Sequence, residues 1–75
     1  MGRENDRNKF VELAEKRVRR ALKDIKLIGN LSNRSNYSYT DEDVKKIMRT
    51  LQSAVNEIKT RFERKGEEEE IEFKL

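Results

Sequence analysis

Six apolar residues near the start of the chain, Val11, Ala14, Val18, Ala21, Ile25 and Ile28, follow one another at alternating intervals of three and four. That spacing stacks them on one side of an α-helix, and Phe10 and Leu22 widen the stripe to either side. It predicts a first helix over about residues 5–28. Glu12 with Lys16 and Glu15 with Arg19 are supporting pairs four apart, each with the acid on the N-terminal side. Lys23 and Lys26 stand towards the negative end of the helix dipole. Gly29 is the expected stop, since glycine enters the left-handed conformation without a Cβ clash. Two of the six stripe positions are alanine, so a partner helix can approach closely there.

A second stripe, Val44, Ile47, Leu51, Ala54 and Ile58, repeats the interval, with Met48, Val55 and Phe62 in a line beside it. The sequence also marks where this helix starts. Thr40 is a natural N-cap, and Asp43, three residues on, can reach back to complete a capping box in place of the more usual Glu or Gln. Asp41, Glu42 and Asp43 complement the positive end of the dipole. Arg61, Arg64 and Lys65 fill the last turn, and Gly66 reads as the stop. The predicted second helix runs over about residues 41–65. Two helices of about 24 residues, joined by a polar connection over 29–40, predict an all-α fold: an antiparallel two-helix hairpin. Residues 1–66 then form one domain. Residues 67–75 are an acidic tail that ends in an alternating, strand-like segment over 71–75, too short to be a stable strand alone.

Length changes this picture. In a chain of 75 residues, two amphipathic helices that meet along one seam bury too little apolar surface to offset the entropy of ordering them. The face formed by Met48, Val55 and Phe62 beside the main stripe also exceeds what one neighbour covers. Assembly of the hairpin into a helical-bundle homo-oligomer, a dimer or higher, is therefore expected.

Composition narrows the chemistry. The chain is 44% charged and 33% hydrophobic, with no His, Cys, Trp or Pro. Disulfides and thiolate chemistry are excluded, and the commonest general base and metal ligand is missing. With no cofactor or metal expected, an enzyme is the weakest reading. No apolar run approaches a membrane span and the N-terminal residues lack a signal-peptide stretch, so a cytoplasmic protein is expected. The net charge of +3 conceals a division. Residues 1–66 hold 17 Lys+Arg against 10 Asp+Glu, whereas residues 67–75 hold five Glu and one Lys. A basic body with an acidic tail attracts polyanions unless the tail screens it.

The candidate site is the connection, Gly29-Asn30-Leu31-Ser32-Asn33-Arg34-Ser35-Asn36-Tyr37-Ser38-Tyr39-Thr40. It is longer than most helix–helix connections and contains a threefold echo of Asn-X-Ser. Each triplet fits a glycosylation acceptor, a reading set aside because nothing suggests secretion. The amides of Asn30, Asn33 and Asn36 can donate and accept, and the Ser32 and Ser35 hydroxyls and the turn's backbone amides can donate to phosphate. Arg34 can grip a phosphate bidentately, and Tyr37 and Tyr39 can stack on a base. Arg20 and Lys23 add positive charge at the same end of the first helix, and the start of the second offers free backbone N–H groups. These are the parts of a small anion or nucleotide site. The alternative reading is structural: Asn and Ser are ordinary turn residues that bond their own backbone, and the tyrosines can cover the end of a bundle.

Three stretches carry a resemblance: Lys9 to Arg17, Leu27 to Tyr37 and Tyr39 to Val44. In them the chain resembles a group of short, uncharacterised bacterial and phage proteins that share a Leu-Ile-Gly-Asn-Leu-Ser-Asn-Arg-Ser-Asn-Tyr segment. That likeness implies no activity. In being small and helical the chain is more loosely similar to phage anti-defence proteins that sequester cyclic nucleotide immune signals. The function expected from all this is a non-enzymatic oligomeric protein that holds a small phosphorylated ligand, such as a cyclic dinucleotide, at the connection. Two alternatives stand beside it. One is a nucleic-acid binder that uses the basic face Lys16, Arg19, Arg20, Lys23 and Lys26, which otherwise is simply a solvated surface. The other is a protein-interaction module that adds its 71–75 segment to a partner's sheet.

Overall fold

The computed structural model describes residues 3–65. They form two helices, α1 (Arg3–Asn30) and α2 (Asp41–Glu63), and no strand occurs among the described residues. The all-α reading is correct. The tail over 67–75 and the stop at Gly66 lie outside the described residues. The chain divides into two compact units, Met1–Ser38 and Tyr39–Leu75, each built around one helix.

In the first unit, α1 is 28 residues long, several more than its stripe predicts. It starts earlier, at Arg3, with Glu4 and Asp6 in a first turn where negative charge is favourable. The Arg7 guanidinium lies 5.9 Å from the centre of the Phe10 ring one turn on. Of the two predicted acid–base pairs, Glu15 and Arg19 approach to 3.9 Å.

The C-terminal end of α1 corrects the sequence reading. Gly29 does not terminate the helix, which continues through Asn30. The chain leaves it by a run of bonds from residue i to i−3: Leu31 N–H to the Ile28 carbonyl at 3.0 Å, Ser32 to Gly29 at 3.0 Å and Asn33 to Asn30 at 3.5 Å. This tightening satisfies the last carbonyls with ordinary right-handed backbone, so no left-handed residue is required. The connection is accordingly residues 31–40, and Lys23 and Lys26 lie above a last turn that carries no basic residue.

In the second unit, α2 begins as its sequence dictates. The Asp43 amide donates to Thr40 Oγ1 at 3.1 Å, and the Thr40 amide donates to Asp43 Oδ2 at 2.9 Å, so both halves of the capping box are made. Thr40 has extended backbone, φ −107° and ψ 165°, as an N-cap residue must. The other end stops at Glu63, two residues short of the predicted Lys65. The Arg64 amide bonds the Thr60 carbonyl at 3.0 Å, and the Lys65 amide bonds Phe62 at 2.9 Å. Lys65 itself takes the left-handed conformation, φ 56°, that the sequence reading gave to a glycine. The Thr50 and Thr60 hydroxyls fold back on the carbonyls of Lys46 and Asn56, so neither reaches outwards as a free donor.

Among the described residues none is buried. Val11, Leu13, Ala14 and Ile28 of α1, Leu51 of α2 and Tyr39 are half-buried. Leu22 is 60% exposed and Phe62 64% exposed. Both stripes therefore exist where the periodicity puts them, and both are largely open. No helix is long and apolar enough to cross a membrane among the described residues.

Candidate functional site

The turn after α1 is organised around Asn33. Its carbonyl accepts two amides, Asn36 at 3.1 Å and Tyr37 at 3.0 Å. Its side-chain Oδ1 accepts a third, from Ser35 at 3.0 Å, which is an Asx-turn. One residue thus receives three bonds and fixes the local turn. The three Asn-X-Ser triplets are not equivalent in structure. Asn30 closes the helix, with its carbonyl taken by the Asn33 amide, whereas Asn33 pins the turn and Asn36 donates into it. The echo is a feature of composition, not a structural repeat.

This geometry removes one part of the expected phosphate site and keeps another. The backbone amides of Leu31, Ser32, Asn33, Ser35, Asn36 and Tyr37 all donate within the turn or to the end of α1. They are not available as a nest for an anion. At the start of α2 the amides of Thr40 and Asp43 are likewise taken by the capping box, in a first turn that carries three acidic side chains. A phosphate would be repelled there, so free N–H groups at this helix start contribute nothing. Recognition in this segment must therefore rest on side chains.

Those side chains are placed as follows. Asn30, Ser32, Asn33, Arg34, Ser35 and Asn36 are all exposed, and Tyr37 is 48% exposed. Together with Arg20 and Lys23 they belong to the first unit. Lys23 precedes Asn30 by seven residues, about 10 Å along the helix axis, and Arg20 by about 15 Å. The two cations stand beside the turn's approach and not within it. Tyr39 is half-buried and belongs to the second unit. The turn unites Asn33, Ser35, Asn36 and Tyr37 by backbone bonds.

One feature escaped the sequence reading. Ile58, Arg61, Phe62 and Lys65 line an open hollow at the end of α2. These four stand at i, i+3, i+4 and i+7, a spacing that puts them on one side of the helix, whereas the sequence reading takes Arg61 and Lys65 only as residues of the last turn. Among the described residues no group of three or more acidic, Cys or His side chains is placed to hold a metal ion. The chain matches no family model, no curated protein and no solved structure, so its function has to be argued from these residues alone.

Proposed function

We propose that the chain is a non-enzymatic binding protein. It acts as a homo-oligomer of helical hairpins, and it holds a small phosphorylated ligand of the cyclic dinucleotide class through the side chains of the connection. The observation that carries this reading is the Asn33 turn. Asn33 holds the amides of Ser35, Asn36 and Tyr37, while the side chains of Arg34, Ser35, Asn36 and Tyr37 stay on the surface. Such a turn is ordered before any ligand arrives, so binding loses little additional backbone entropy. Arg34 supplies charge to a phosphate, Tyr37 a stacking surface for a base, and Asn36 paired donor and acceptor groups for a base edge.

The open stripes of α1 and α2 support the oligomeric half. Apolar surface of this extent is stabilised when a neighbouring helix covers it. In a twofold assembly the same residues from two chains hold the two halves of a symmetric ligand, which is the attraction of a cyclic dinucleotide. Holding such a ligand needs no general base or nucleophile, in keeping with a chain that has no His or Cys.

Titration calorimetry with cyclic dinucleotides tests the reading, with sedimentation to give the stoichiometry. Saturable heat at one ligand per pair of chains is expected. Arg34→Ala and Tyr37→Ala should each weaken binding about tenfold or more, the loss of one charged contact or one stacked base. Their melting temperatures should stay near that of the parent. Absence of both heat and a thermal shift at high ligand concentration would sink the proposal.

A further inference from the structure

The back of α1 carries a feature that ligand binding at the turn does not use. Lys16, Arg19, Arg20, Lys23 and Lys26 recur every three or four residues along one side of the helix, and all five are exposed. Lys23 lies five residues from Val18, about 140° round the helix, so this side faces away from the apolar stripe. A neighbour that covers the centre of the stripe leaves most of these cations in solvent. Among the described residues Arg19 is the one member with a carboxylate in ion-pair range, Glu15 at 3.9 Å. The remaining four have none. The run covers eleven residues, about 15 Å of helix axis, with a positive group at every turn and a single acid, Asp24, at its edge one turn after Arg20.

We infer that this ridge is a second, separate binding surface, which takes the phosphodiester backbone of a nucleic acid without reading its sequence. A regular row of cations suits a regular row of phosphates. The positions between them on the same side offer no Asn, Gln or aromatic group to contact base edges, so the contact is electrostatic and sequence-independent. An anionic membrane presents similar charge. A helix lying in a membrane shows this same charge pattern but must bury its apolar face in the lipid; the nucleic acid is favoured because the assembly proposed above covers that face and leaves only the cations to a partner.

Fluorescence anisotropy with a labelled DNA duplex and a labelled single-stranded RNA, both of arbitrary sequence, provides the test. Vesicles rich in anionic lipid form a third arm. Contact with three or four phosphates predicts that log K falls with log salt at a slope of about −3 on the duplex and somewhat less on the single strand. Affinity then drops on the order of 10²-fold between 50 and 200 mM salt. The double variant Lys16→Glu/Lys26→Glu should abolish this binding at 50 mM salt. Neither residue is assigned to the turn, so cyclic dinucleotide binding is unaffected and the two proposals stand or fall separately. Lys46→Glu/Lys59→Glu on α2 changes the net charge equally and should leave most of the nucleic-acid affinity. The inference is overturned by absence of binding at 50 mM salt, by equal losses in the two double variants, or by binding to vesicles alone.

Discussion

The two helices apply one apolar design to two different surfaces. In each, residues at intervals of three and four make a stripe that is open among the described residues. The polar sides then diverge. α2 carries five Lys+Arg and five Asp+Glu, whereas α1 carries nine against five. A balanced helix surface is suited to solvation and to mixed ion pairs, such as that of Lys45 with Glu42 at 3.9 Å. An unbalanced one sets up a field at its surface. The stripes thus argue for assembly in both helices alike, and charge separates what the outer faces can do. The helix ends differ in the same spirit. The start of α2 is specified by side chains, through Thr40 and Asp43, while the end of α1 is made by the backbone alone.

The largest expected effect comes from placing a charge in the α2 stripe. Leu51 is the least exposed of its large apolar residues. If the stripe is an assembly face, Leu51→Asp puts an unpaired carboxylate into an apolar contact, at a cost of about 3 kcal/mol or more. Sedimentation should show dissociation, and the melting temperature should fall by roughly 15 °C. Gln52→Asp, one position round on the polar side, should change stability by less than about 0.5 kcal/mol. Identical sedimentation of Leu51→Asp and the parent would remove assembly from the common ground between the helices.

The next effect tests the capped end. Thr40→Ala removes the acceptor for the Asp43 amide and should cost about 1 kcal/mol, or about 5 °C in melting temperature. This start was legible in the sequence because a capping box is closed by residues three apart, with no help from tertiary structure. The stripes were legible for a similar reason, since periodicity is local. What covers them was not, because nothing in a stripe's spacing identifies the surface that will meet it. The connection was half legible. That Asn and Ser would bond their own backbone follows from residue type, and Asn33 two residues before Ser35 is the signature of an Asx-turn. That one asparagine would receive three amides, and so leave none of them for a phosphate, depends on the path of the chain from the end of α1. Gly29 as a stop predicts a different path, because the helix runs on through Asn30 before it tightens.

Gly29 gives the smallest effect and the one whose sign decides between two backbones. A glycine in the left-handed conformation just past a helix loses stability when a Cβ is added, because the side chain meets the following carbonyl. A glycine inside a helix gains it, because alanine has less backbone entropy to lose and a better helix propensity, by up to about 1 kcal/mol. Gly29 lies within α1, and a Cβ built on it meets nothing within 4 Å. Gly29→Ala should therefore raise the melting temperature by a few degrees, about half the full propensity difference this close to the helix end. A drop would return the end of α1 to Ile28 and make the run of i to i−3 bonds a poor description of the turn. A rise, set against the drop for Thr40→Ala, would show one helix end held by its side chains and the other by its main chain. The Asn33 turn would then keep its geometry, and with it the display of Arg34 and Tyr37, when a residue four positions before it is changed.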